Sequence, residues 1–461
     1  MDATSPTTQS ALAKARYPRS IPFIIGNEAA ERFSFYGMRS ILSTFLVAQF
    51  FNPTHNPALQ SVAEAKSNDQ VHFFVALAYF MPLVGGLAAD WFFGKYKVIL
   101  YVSIIYCFGH LFLALFDTNL EWFTYGLLLI AIGAGGIKSC VSANVGDQFD
   151  QSNQHLLSKG YGWFYLSINA GSVIATVLIP YLYAHYGASV AFGVPGVLMA
   201  LATLIFWLGR KRYVRVPPIG FQRALGDVQM WRENLSAIGR IMLVFMFIPA
   251  FWALWDQNLS EWVLQATKLD LTVVGNFTVL PEQVQTVNPF FLVTMIPIFT
   301  YGVYPFLERI GLNFTPLRRI GTGLALSGLS FVIIARLQER IDRGEHPSAW
   351  WQVLAYLILS AAEVLVWVTG LEYAYTQSPK AIKSLMSAIG LLTISAGNLF
   401  VSLINQNIAG GGFFARFRGA DYYWFFVGLI AVNTVLFVVV SLFVKEKNYV
   451  EPIAEVGHVP E

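Results

Sequence analysis

Twelve long apolar stretches constrain this chain more than any other feature. They run at about 21–50, 71–93, 97–116, 122–146, 161–183, 188–209, 238–257, 287–308, 314–335, 350–376, 384–408 and 422–444. A helix crosses a bilayer with about 20 mostly apolar residues, whereas a membrane barrel shows alternating segments of about ten. Long continuous runs therefore predict helices. Of the 461 residues, 56% are hydrophobic and 12% charged, against roughly 25% charged in a soluble domain. The polar surface that two or three soluble domains would need is missing, so lipid is the expected solvent.

The basic residues set the orientation. Positive charge near span ends stays on the cytoplasmic side. With both termini cytoplasmic, that side holds 20 Lys and Arg, including Lys14, Arg16, Arg19, Lys95, Lys97, Lys380, Lys383, Lys445, Lys447 and seven in 210–240. The opposite side holds seven, and Arg32, Arg39 and Lys138 remain within the membrane. The basic residues are topogenic and form no nucleic-acid patch. The first apolar run is too long for a cleavable signal peptide and lacks a small-residue cleavage pattern. Cys107 and Cys140 lie in apolar runs and read as small core residues.

The hydrophobic pattern breaks at 210–237, from Arg210-Lys211-Arg212 to Trp231-Arg232-Glu233. The break divides the spans six and six. We expect an N-terminal six-helix bundle over 1–209, a cytoplasmic linker over 210–237 and a C-terminal bundle over 238–461. The segment 219–235 fits an amphipathic helix lying on the membrane surface. An all-α membrane protein with twelve transmembrane helices in two six-helix bundles, each of two three-helix repeats, resembles the major facilitator superfamily.

The deep charges fall on the first helix of each repeat: Glu28, Glu31, Arg32 and Arg39 in span 1, Lys138 in span 4, Asp256 in span 7 and Glu363 in span 10. Chance placement would scatter them, so these four helices are expected to line one cavity. A charge at the bilayer centre costs about 2.5–3.5 kcal/mol on insertion scales, so these groups must face water or one another. At 100° per residue, Glu28, Glu31, Arg32, Tyr36 and Arg39 share an arc of about 140°. Arg39 and Asp256 are expected to pair across the two halves and to part during gating. Two carboxylates one turn apart beside a single Arg32 cannot both stay cheaply ionised, so one is expected to take up a proton. That is what proton coupling requires. Lys138 and Glu363 put a cation and an anion in opposite halves, so a small zwitterion with charged ends ~7 Å apart, the length of two extended residues, would bridge them. His72 reads as a polar residue at the start of span 2.

At these residues the chain resembles the proton-dependent oligopeptide transporters of the major facilitator superfamily. Glu28-Ala29-Ala30-Glu31-Arg32-Phe33 is similar to the family's ExxER signature, and Gly85-Gly86-Leu87-Ala88-Ala89-Asp90 to the superfamily's loop motif. Phe164-Tyr165-Leu166-Ser167-Ile168-Asn169-Ala170-Gly171-Ser172 is similar to the fifth-helix signature, and Phe251-Trp252-Ala253-Leu254-Trp255-Asp256-Gln257 extends the likeness. The resemblance implies that Arg32, Lys138 and Tyr36 meet a peptide carboxylate. It also implies that Glu363, with Asn169 and Asn288, holds the amino end, and that Tyr79 contacts substrate. Glu28, Glu31, Asp256 and His72 would serve proton coupling. The chain departs from the family's pattern where many relatives have Ser-Pro after the helix 10 glutamate, reading Trp367-Val368-Thr369, and at Gly390, near which many bacterial relatives carry a tryptophan.

The expected protein is a proton-coupled symporter of di- and tripeptides in the cell (inner) membrane. It would need no cofactor other than protons as the coupling ion, and a monomer would suffice. One alternative keeps the fold and carries nitrate or another small organic anion. An enzyme is not expected, because the chain shows no metal-ligand cluster, nucleophile elbow or phosphate loop. A channel, the remaining alternative, would pass current without accumulating solute.

Overall fold

A computed structural model describes residues 17–52, 59–150, 153, 156–379 and 383–444. Lys14, Arg16, Lys380, Lys445 and Lys447 lie outside the described residues. The first six spans are α1 (Ile21–Gln49), α2 (Gln60–Ala88), α3 (Lys95–Leu115), α4 (Leu120–Gly146), α5 (Leu157–Tyr186) and α6 (Ala188–Leu208). A 13-residue helix, α7 (Phe221–Glu233), follows in the linker. Trp231 stacks there on Trp91, with ring centroids 6.2 Å apart.

Span 7 is broken into α8 (Leu235–Phe245), α9 (Ile248–Trp255), a 3₁₀ turn at Asp256–Leu259, and α10 (Glu261–Ala266). The first two pieces meet at 41°, with Pro249 in the first turn of α9. Proline lacks the N–H that would continue the ladder, so the bend has a local cause. Span 8 comprises α11 (Val287–Pro297), a π turn and α12 (Tyr304–Arg309); span 9 is α13 (Pro316–Asp342). In span 10, α14 (Trp350–Glu363) passes through a π turn at Val364–Val368 into α15 (Thr369–Gln377). α16 (Lys383–Ala409) and α17 (Ala420–Ser441) complete the set, and a short hairpin of β1 (Thr272–Val274) and β2 (Phe277–Thr278) caps the end away from the linker.

Among the described residues ten helices are long and apolar enough to cross a membrane, and the bent span 7 makes eleven. α1 is 29 residues long but carries Glu28, Glu31, Arg32 and Arg39, which set it apart in composition. The chain is a multi-pass membrane protein with the major facilitator fold.

Two separate hydrophobic cores hold the halves. The first gathers Phe35, Phe45, Phe123 and Phe192, with Phe45 5.0 Å from the rings of both Phe123 and Phe192. The second gathers Trp262, Phe331, Tyr356 and Phe426. Tyr79 packs against both. Lipid tails give helices no hydrophobic drive to associate, so close backbone approach has to supply the packing. Gly85 shows it: a Cβ there would lie 2.5 Å from the Gly136 carbonyl oxygen, which presses α2 against α4. Cys107 and Cys140 are free.

Candidate functional site

The charged stripe of α1 faces inward. Arg32 Nε lies 2.7 Å from Glu28 Oε1 and 2.9 Å from Glu31 Oε2. Both carboxylates thus engage one edge of the guanidinium, and its side chain keeps 10% exposure. Lys138, from α4, places Nζ 3.8 Å from Glu31 Oε1, over the Phe35 ring at 3.9 Å and within 5.2 Å of the Tyr79 ring. Among the described residues its ammonium makes no hydrogen bond. A buried ammonium with three unspent donors is an anion site in waiting, since burying charge is costly unless it is paired.

The opposing pole is Glu363. Its Oε2 accepts a 2.9 Å hydrogen bond from Trp255 Nε1. Asn288 donates to Ser360, one turn earlier on the same helix, and lies within interaction range of the carboxylate. Tyr36 is within electrostatic range of Arg32, Arg39, Glu31 and Glu363 together. The cationic and anionic groups of the two halves therefore meet about one tyrosine. Asn169 donates to the Tyr165 carbonyl of its own helix at 2.9 Å, and Tyr165 lies within electrostatic range of Glu363.

A second constellation joins the bundles. Arg39 Nη2 bonds Asp256 Oδ1 at 2.6 Å, and Asn398 Nδ2 bonds Asp256 Oδ2 at 2.6 Å. Because that amide donates to the carboxylate, its Oδ1 is left to accept from His72 Nδ1, 2.7 Å away. The His72 tautomer is fixed with its proton on Nδ1. Its Nε2 faces Ser260 Oγ at 2.9 Å and can accept from the hydroxyl or, once protonated, donate to it. The reading of His72 as a residue at a span boundary is overturned. Span 2 begins at Gln60 rather than 71, so His72 sits mid-helix and is fully buried. The polar residues of 60–70 hid the first turns of the helix from a hydropathy pattern.

The seam is fastened further at the end away from the linker. Glu64 Oε1 meets Lys268 Nζ at 2.8 Å, Asn68 bonds Glu261, and Ser402 donates to Asp69 at 2.6 Å. Gln285 bonds the Ser40 carbonyl and Gln283 the Val177 carbonyl. Every one of these contacts crosses from one bundle to the other.

The POT family model matches residues 96–224 and 221–412. The chain belongs to the POT family. Among POT relatives, solute carrier family 15 member 2 of Mus musculus is 35% identical over 402 residues, which take in 77% of this chain and 53% of that protein. Peptide transporter family 1 of Drosophila melanogaster is 36% identical over 374 residues, covering 72% of this chain and 49% of its own. The chain thus spans about half the length of these curated relatives. A crystal structure of the POT family transporter PepTSo superposes with a TM-score of 0.83 at 35% identity, covering 93% of this chain and 99% of that one.

Asn398, Ser260 and Phe35 were not singled out from the sequence, and Trp255 was noted only within the Phe251–Gln257 stretch, although all four line the charged centre here. Ser260 stands one turn beyond Asp256, and Asn398 interrupts an apolar run. Those were the available signals. Phe35 gave none, because an aromatic in a membrane helix reads as core.

Proposed function

We propose that this chain imports di- and tripeptides together with protons by alternating access. The observation that carries the reading is the pair of unspent cations facing a lone acid. Among the described residues Lys138 makes no hydrogen bond, Arg32 meets its two carboxylates through Nε, and Glu363 waits across the bundle interface. A zwitterion satisfies both ends: its carboxylate would meet Arg32 and Lys138 near Tyr36 and Tyr79. Its ammonium would meet Glu363, with Asn288 and Asn169 close by. The peptide-transporter names of the relatives support the same cargo.

Bundles 1–209 and 238–461 would rock about a cytoplasmic linker at 210–237, with both termini in the cytoplasm and the protein in the cell membrane. The crowding of inter-bundle bonds away from the linker suits a form closed to the outside. Glu28 and Glu31 compete for one edge of Arg32, so a proton on either loosens that arginine toward the peptide carboxylate. Protons would be the only coupling agent, without a cofactor. An inward proton supplies about 2.3 kcal/mol per 100 mV and about 1.36 kcal/mol per pH unit, enough to concentrate peptide many-fold. Each molecule holds both poles of the site, so a monomer suffices.

The test is uptake of labelled dialanine into proteoliposomes under an imposed proton gradient, with competition by dipeptides and by nitrate. Accumulation blocked by dipeptides is expected. Competition by nitrate but not by dipeptides would replace this reading with that of an anion carrier, for which Glu363 has no use.

A further inference from the structure

Three indoles stand in a row beside Glu363. Trp255 donates to the carboxylate, Trp252 meets Trp255 edge-on with centroids 5.2 Å apart, and Trp252 meets Trp367 in the same way at 5.2 Å. Trp252 is 4% exposed, and among the described residues its buried Nε1–H has no partner. A buried donor left unspent is a standing cost.

Trp367 stands where it does because of the backbone. Trp367 lies within the π turn Val364–Val368, which begins directly after Glu363, and such bulges are frequent at functional sites. Trp367 remains half-buried, while Trp252 behind it is closed in. Opposite, on α16, Gly390 leaves a gap. A Cβ built there would sit 3.6 Å from the Trp367 ring and 3.7 Å from the Phe245 ring, in ordinary contact with both. The indole fills the space that a larger residue at 390 would otherwise occupy.

We propose that Trp367, packed on Trp252 and facing Gly390, limits the size of the side chain on the first residue of the carried peptide. This rests on the reading that the peptide's amino end sits at Glu363. From there the first side chain has the indole row as its nearest wall. Small first residues fit beside Trp367, and large ones collide with it. The second side chain lies nearer Arg32 and Lys138 and does not meet this wall.

The experiment measures inhibition of labelled dialanine uptake by Ala-Ala, Trp-Ala and Ala-Trp in proteoliposomes holding wild type, Trp367→Ala or Trp367→Phe. The expected result is that the inhibition constant of Trp-Ala relative to Ala-Ala falls at least tenfold in Trp367→Ala. A smaller fall is expected in Trp367→Phe, and the Ala-Trp ratio should hold within twofold. Unchanged Trp-Ala ratios in the variants would overturn the proposal, as would an equal gain for Ala-Trp. Dialanine uptake by wild type reports separately on peptide transport itself, so a failure of that reading is distinguishable from a failure of this one.

Discussion

Arg39 Nη2 and Asp256 Oδ1 lie 2.6 Å apart, with each side chain 1% exposed, one contributed by each bundle. Removing one partner of a buried pair leaves an uncompensated charge and costs about 3–5 kcal/mol. Here that cost falls on the closed seam, because opening would hydrate the lone arginine. Asp256→Ala is expected to open the far end. Measured as labelling of Ser402→Cys by an impermeant maleimide, the rate should rise at least tenfold over the Asp256 background. An unchanged rate would mean that the pair does not hold the seam.

Glu31 touches two cations of the N-terminal bundle, Arg32 at 2.9 Å and Lys138 at 3.8 Å. Glu31→Gln cannot lose a proton, so binding should persist while coupling is lost. The expected outcome is exchange of labelled for unlabelled dialanine across the membrane without accumulation under a proton gradient. Continued accumulation by the variant would remove Glu31 from the coupling scheme.

Among the described residues Lys138 offers a buried ammonium with no hydrogen bond. A hydrogen bond to a charged group contributes about 1.5–3 kcal/mol, which is roughly ten- to a hundredfold in affinity. Lys138→Met should weaken inhibition by dialanine on that scale and leave inhibition by its carboxyl-terminal amide nearly unaltered. Equal losses for both compounds would show that the lysine does not read the carboxylate.

Glycines of the N-terminal bundle should differ in sign on substitution. Gly85→Ala drives a methyl to 2.5 Å from the Gly136 carbonyl and should destabilise by about 1–3 kcal/mol. Gly26 has nothing within 4 Å of its would-be Cβ, and alanine is better than glycine inside a helix by about 1 kcal/mol. Thermal unfolding of the purified protein should place Gly85→Ala below wild type and Gly26→Ala at or above it. A Gly85→Ala protein as stable as wild type would contradict the close approach of α2 and α4.

Much of the fold was legible because a bilayer asks one coarse question of a sequence, whether each run is apolar and long enough. The boundaries failed where polar residues belong to a span. Gln60, Asn68 and Asp69 sit inside α2, the last two bonded across the seam, so a hydropathy pattern started the helix late and misplaced His72. The pairing of Arg39 with Asp256 was legible, since two isolated buried charges of opposite sign have few other partners. Asn398 was not, because nothing in an apolar run tells which neighbouring helix a single amide will face.

The sequence by itself determined the solvent, the helical character of the spans, the inward stripe of α1 and the division of charge between the halves. These follow from composition and from 100° per residue. Only the tertiary structure decided that Glu28 and Glu31 share one edge of Arg32, that Lys138 keeps its donors free, and that Trp367 stands against Gly390. Helical periodicity fixes the direction a side chain points from its own axis. Which group it meets depends on how far apart and at what angle two helices cross, and that is set by glycine contacts, proline bends and π turns acting together.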